Sequence, residues 1–180
     1  MIEVLRLGHR RARDARITTH VCLVARAFGA DGVVVAEKDE TLEKTVADVV
    51  ARFGGPFRVR TGQAWKPYVK AWKKRGSVVH LTMYGEPLEG VLGAVRGRDV
   101  LVVVGAEKVP GDLYDLADHN VAVGNQPHSE VAAVALALDR LTEGEWARRS
   151  FVGPVEIVPN PRGKTLINRT NPPGRRRGTA

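Results

Sequence analysis

The chain has 180 residues, 43% of them apolar, enough to bury one core, and it carries 28 Lys and Arg against 20 Asp and Glu. The net charge of +8 favours an anionic partner, nucleic acid first, over a neutral metabolite alone, with an unspecialised basic surface as the competing reading. One cysteine, Cys22, excludes a disulfide framework and a zinc knuckle; no apolar run nears the ~20 residues that span a bilayer, and no h-region precedes a cleavage site, so a cytoplasmic location is expected.

In chain order, "IEVLRLG" at 2–8 reads as a strand, followed by the polar, Arg-rich "HRRARDARITT". "HVCLVARAFGADG" is helical, with Val21, Val24, Ala25 and Phe28 on one stripe and glycines at its end. "VVVAE" at 33–37 is a buried strand, and "DETLEKTVADVVARFGG" a helix opened by Asp39 or Thr41 and closed by Gly54 and Gly55. "FRVR", "VVHLTM", "LVVVG" and "NVAVG" are further short strands, separated by helical patterns at 64–75, 86–95 and 111–118 and followed by a helix ending near Leu141. Apolar strands alternating with helices predict an α/β fold, a mostly parallel sheet with helices on both faces. Residues 151–180 hold five prolines, one acidic residue and the run Arg175-Arg176-Arg177. The first part is expected to add an edge strand to a domain of residues 1–160, and 161–180 to form a mobile basic tail.

Three strands end alike: "HLTMYGEP" turns at Gly85, "LVVVGAEKVP" at Gly105 and "NVAVGNQPHSE" at Gly124. The C-terminal ends of parallel strands share one edge, so these loops can converge on one crevice. A single strand-end glycine usually only turns the chain. Here two of the loops also carry hydrogen-bonding groups, Glu107 and Lys108, then Asn125, Gln126, His128 and Ser129, the last of which also suits a helix cap. Neither G-x-x-x-x-G-K-[ST] nor G-x-G-x-x-G is present, which points to an adenosine-type ligand held by backbone without a polyphosphate. The five histidines lack paired ligand spacing, so no metal site is expected.

"RLGHR", "RITTH", "ARAFGADG", "HLTMYG", "VVVGAEKVP" and "VAVGNQPHSEVAA" resemble the archaeal tRNA cytidine-56 2′-O-methyltransferases, a family of the SPOUT class of S-adenosylmethionine enzymes, over residues 1–160. The resemblance implies a C-terminal trefoil knot, a homodimer, and methyl transfer to a T-loop cytidine of tRNA, with no DNA partner. It places the S-adenosylmethionine-binding positions on Leu81, on Gly105, Ala106, Glu107, Lys108 and Val109, and on Val123, Gly124, Asn125, Gln126, Pro127, His128, Ser129 and Glu130. Two other readings compete: a non-catalytic RNA-binding module, and the same chemistry on ribosomal RNA.

A ribose 2′-hydroxyl is a poor nucleophile until its proton is drawn off. Related SPOUT enzymes implicate an arginine six residues after an asparagine; aligned on "AFG", those positions fall here on Leu23 and Ile17, so this chain departs from the pattern. Arg10, Arg16 and His20 are the catalytic candidates, with Arg26 in reserve. An arginine rarely gives up its proton and better orients phosphate, whereas a histidine titrates near neutrality. The third motif also departs, having Asn125 and Ser129 four apart where sister families show N-x-S-x-A. For RNA contact, residues 58–75 carry seven Lys or Arg and no acid, with Trp65, Tyr68 and Trp72 on one helix face. Such a stripe is more often core than a stacking platform, its lysines a solvated rim. The Arg-rich segment 6–16 is the other candidate surface.

Overall fold

The computed structural model describes residues 1–105 and 108–169. Six parallel strands form one sheet in the order β3-β2-β1-β5-β4-β6: β1 Ile2–Arg6, β2 Gly32–Val35, β3 Arg58–Thr61, β4 Ser77–Pro87, β5 Val100–Val104 and β6 His119–Ala122. The helices are α1 Arg11–Ala27, α2 Glu40–Phe53, α3 Trp65–Trp72, α4 Leu88–Val95, α5 Asp112–Leu116 and α6 Glu130–Thr142. Valine-rich β2 and β5 are buried along their whole length because both sheet faces are covered. On one face α1, α2, α4 and α6 pack over Val4, Val33, Val79 and Val102. On the other, Val69 and Trp72 of α3 and Leu113 of α5 cover Leu5, Val34, Val78 and Val103. The expected α/β architecture is therefore present.

Four expectations are corrected. α1 begins at Arg11, nine residues before the expected start at His20, because its buried face opens with polar residues: Asp14 and Thr18 precede Val21, Cys22 and Ala25 at helical spacing. Asp14 is held by Arg10 at 3.0 Å, and Thr18 by His9 at 2.9 Å. The chain does not simply turn at Gly85. It leaves β6 after Leu81 and returns by Glu86, so that both residues face Val121 and residues 82–85 loop out between them. Glycine is required there: a Cβ on Gly85 would lie 2.4 Å from Asn120 O and Val121 N.

Among the described residues, the segment after α6 adds no strand to the main sheet. β7 (Val155–Val158) pairs antiparallel with β8 (Thr165–Asn168), so ordered pairing continues past the expected boundary at 160, through Pro161–Lys164 to Asn168. The remainder of the expected tail, with its terminal arginines, lies outside the described residues. Trp72 is buried, and Trp65 and Tyr68 are half-buried against the same core, in keeping with the core reading of that stripe. The Tyr68 hydroxyl donates to Glu3 and accepts from Arg60, which ties α3 to β1 and β3.

Candidate active site

Within the sheet, β4, β5 and β6 are neighbours through the order β5-β4-β6, so their C-terminal ends meet at one edge. A cavity of about 200 Å³ opens there. Of the residues expected from sequence, Leu81, Gly105, Val109, Val123, His128 and Glu130 line it. Lys108, Gly124, Asn125, Gln126, Pro127 and Ser129 are not part of its wall, and Ala106 and Glu107 lie outside the described residues. Larger clefts exist at the N-terminal sheet edge beside Met1 and Arg58, and beneath the β7–β8 hairpin. Neither receives the strand ends that carry the glycine loops.

The loop residues outside the wall still shape it. Asn125 Nδ2 donates to the carbonyls of Met83 at 2.9 Å and Gly85 at 3.2 Å, joining the third loop to the first. Ser129 caps α6, its Oγ accepting from the Val131 amide at 3.2 Å. Gly124 has φ +106 with open space where a Cβ would stand, so its conformation rather than crowding calls for glycine. At Gly105 a Cβ would meet Val109 Cγ1 at 1.9 Å, so the second loop folds back on itself with backbone alone at that point of the wall.

Sequence reasoning missed a group of polar side chains on the strands themselves. His80 of β4 is buried and lines the cavity, packed edge-on to Tyr114 of α5 at 4.9 Å. Its Nδ1 lies 2.8 Å from Asn120 Oδ1, and Asn120 Nδ2 donates to the Tyr114 carbonyl. With the amide so oriented, Nδ1 carries the hydrogen and Nε2 is left as an acceptor. Burial lowers the His80 pKa, against the opposing effect of the Asn120 bond, so the ring is held neutral. Thr82 Oγ1 lies 3.1 Å from the Tyr114 hydroxyl, extending this polar floor. The signal was present in the sequence as a polar residue inside a buried strand, "VVHLTM", and "IEVLRLG" carries the same signal at Arg6.

The loop between β1 and α1 is fixed by a second buried network. His9 bridges Thr18 at 2.9 Å and Asp39 at 3.0 Å, and Glu37 accepts from the amides of Gly8 and His9 at 3.0 Å each. Burial alone would raise the Asp39 pKa, but the His9 bond, the Leu42 amide and the Arg11 charge outweigh it and carry the carboxyl below its usual range. This frame presents Arg10, Arg16 and His20 on exposed positions of the loop and of α1. None of the three belongs to the cavity wall of this chain, and Arg10 is tied to Asp14. Arg26 is placed elsewhere: it donates to the Gly54 carbonyl at 2.7 Å and lies over the Phe151 ring at 4.8 Å, where burial lowers its pKa. It braces the hairpin segment against α1 and α2.

In fold, the chain is of the SpoU/TrmH methyltransferase kind. It is similar to the crystal structure of an RNA 2′-O ribose methyltransferase, with a TM-score of 0.60 at 18% identity, covering 79% of this chain and 56% of that one. It is also similar to the SpoU methyltransferase AviRb from Streptomyces viridochromogenes in complex with AdoMet, with a TM-score of 0.56 at 17% identity over 78% of this chain and 56% of that one. Sequence narrows the class further. Residues 53–167 match the family described as "tRNA ribose 2′-O-methyltransferase, aTrm56". The tRNA (cytidine(56)-2′-O)-methyltransferase of Thermococcus kodakarensis is 53% identical over 174 residues, 93% of this chain and 97% of the relative. That of Methanopyrus kandleri is 55% identical over 167 residues, 91% and 94% of the two chains. The chain belongs to the tRNA (cytidine(56)-2′-O)-methyltransferase family.

Proposed function

We propose that this protein transfers a methyl group from S-adenosylmethionine to the ribose 2′-hydroxyl of the T-loop cytidine at position 56 of tRNA. The observation that carries the reading is the convergence of the β4, β5 and β6 ends on one cavity, in a chain whose relatives over nearly their whole length bear that activity in their names. The wall fits such a donor. Apolar Leu81, Val104, Val109 and Val123 offer an enclosure for a flat ring, and backbone exposed at Gly105 and Gly124 offers amides and carbonyls to its edge. The cavity-lining members of the sequence-derived set, with the loops 105–109 and 123–130 that carry the rest, are the residues proposed to hold it.

Bound there, S-adenosylmethionine supplies an electrophilic methyl group on sulfur. The chain's own part is to bring the 2′-hydroxyl in line with that methyl and to keep water out. Tyr84, 80% exposed, and Met83, 36% exposed, stand on the loop over the cavity mouth, where the acceptor nucleotide must enter. Arg10, Arg16 and His20 serve the substrate side, as exposed side chains of the loop and of α1, the two arginines meeting tRNA phosphates.

The net charge of +8 suits a folded polyanion. No helix among the described residues is long and apolar enough to cross a membrane, and a tRNA substrate is the reason to place the protein in the cytoplasm. A trefoil knot and a homodimer complete the reading. The knot is supported by the likeness of the fold to SpoU methyltransferases, and the dimer by the side chains Tyr84, Leu136 and Ile157 left on the surface. Ribose-methylation mapping of a tRNA transcript after incubation with the protein and S-adenosylmethionine tests the whole: one new 2′-O-methyl at C56 is expected, and methylation elsewhere or nowhere refutes it.

A further inference from the structure

Arg6 closes β1, between β2 and β5, and its side chain is only 1% exposed. Alternation along the strand puts it with Val4 on the face covered by α1 and α6, while Leu5 and Leu7 face the other way. Its Nη2 donates to Glu130 Oε1 at 2.9 Å, whereas Nε and Nη1 have no hydrogen-bond partner among the described residues. A buried guanidinium with idle donors is costly to a fold, and polar groups left so exposed to loss mark places where a site needs them. Its partner is the first residue of α6, 29% exposed at the side chain and part of the cavity wall. Among the described residues, Glu130 is the sole carboxylate in that wall. Both the guanidinium behind it and the amino end of α6 draw negative charge to that position.

We propose that Glu130 accepts the proton of the ribose 2′-hydroxyl and that Arg6 is a positioning residue that aims this carboxylate into the cavity; the proposal rests on the methyl-transfer reading above. In the step, a lone pair of the ribose oxygen forms the new O–C bond, and the C–S bond breaks with its electron pair passing to sulfur. The hydroxyl proton moves to the Glu130 carboxylate, which later returns it to water. A carboxylate suits this transfer because its negative charge is neutralised as the positive charge on sulfur disappears, so no unpaired charge is left in a poorly solvated cavity.

Of the other titratable groups around Glu130, the Tyr114 hydroxyl of α5 lies against Thr82, and His80 from β4, whose Nδ1–H is held by Asn120, keeps Nε2 as an acceptor and competes for the proton. Cys22 of α1, near Arg6, is pushed up to about 12 by burial and stays a thiol. His128, exposed and with Nδ1 3.2 Å from the Ser129 carbonyl, is a second competing acceptor.

The test is single-turnover methylation of a tRNA transcript by the full-length protein across pH 5–9, with S-adenosylhomocysteine calorimetry and tRNA binding for each variant. E130Q should lower the rate by about 100-fold or more with tRNA and S-adenosylmethionine both saturating, a loss well beyond any change in either affinity. R6Q should lower the single-turnover rate by about 10-fold or more with tRNA and S-adenosylmethionine both saturating, so that the loss falls on the chemical step and not on binding. R6K, which keeps a cation behind the carboxylate, should recover most of that loss. An R6Q whose loss lies in the affinities alone, or an R6K as slow as R6Q, overturns the part given to Arg6; should R6Q fail to fold, R6K and E130Q decide. E130Q that methylates within about fivefold of wild type, or an H80Q or H128Q loss larger than that of E130Q, overturns the assignment of Glu130. A wild-type protein that binds no S-adenosylhomocysteine or leaves tRNA unmethylated sinks the underlying reading as well, so the two failures are distinguishable.

Discussion

Replacing Gly85 by alanine probes how the cavity is built. The added Cβ would stand 2.4 Å from Asn120 O and Val121 N, about 1 Å inside ordinary contact, and both atoms are backbone of β6 rather than the end of a yielding side chain. Either β6 shifts or residues 82–85 lift away, and Asn125, whose amide grips the Met83 and Gly85 carbonyls, moves with them. Overpacking of this kind costs about 1–3 kcal/mol, or roughly 2–12 °C in melting temperature for a domain of this size. Displacing Leu81 to Tyr84 by about 1 Å should also cost on the order of 100-fold in methylation rate. The control is G93A in α4, where a Cβ meets nothing within 4 Å and helix propensity predicts a gain of about 0.5–1 kcal/mol. Thermal denaturation and S-adenosylhomocysteine calorimetry on both variants check the argument. A G85A protein with the melting temperature and affinity of wild type would refute the claim that backbone contact between this loop and β6 sets the cavity.

Three further outcomes are expected. Because the Asp39 pKa is depressed in the folded chain, its contribution to stability is present above the unfolded value near 3.9 and is lost as pH falls through the folded value; D39N should therefore flatten the acid-side fall in melting temperature, and H9A, which strands buried Asp39 and Thr18, should cost about 2–4 kcal/mol at neutral pH by denaturant titration. Burial likewise lowers His80, so stability should drop as pH falls below about 6.5, and H80Q should remove that part of the dependence in melting curves at pH 5.5 and 7.5. Binding to tRNA should weaken steeply with salt, and the combined R10A/R13A/R16A variant should reduce the slope of log K against log salt by about 2–3 in filter binding, while a slope that does not change would remove this loop from the RNA surface.

Sequence by itself determined the layered architecture and the edge on which the site lies. Apolar strands alternate with helices in a way that only a sheet covered on both faces satisfies, and the C-terminal ends of parallel strands then have no choice but to share an edge. The glycines at 85, 105 and 124 were legible because a residue without a side chain leaves a trace in the one-letter string. Tertiary structure alone decided what stands behind those loops. Arg6 meets Glu130, and His9 meets Asp39, across 124 and 30 residues of chain, and no local pattern encodes such partners. The same holds for α1, whose first buried turn is polar and becomes visible only beside His9 and Arg10, and for β8, whose pairing with β7 makes the start of the expected tail one arm of a hairpin. Periodicity reports which face of an element is buried; which distant side chain completes a charge or a hydrogen bond is settled only when the elements pack.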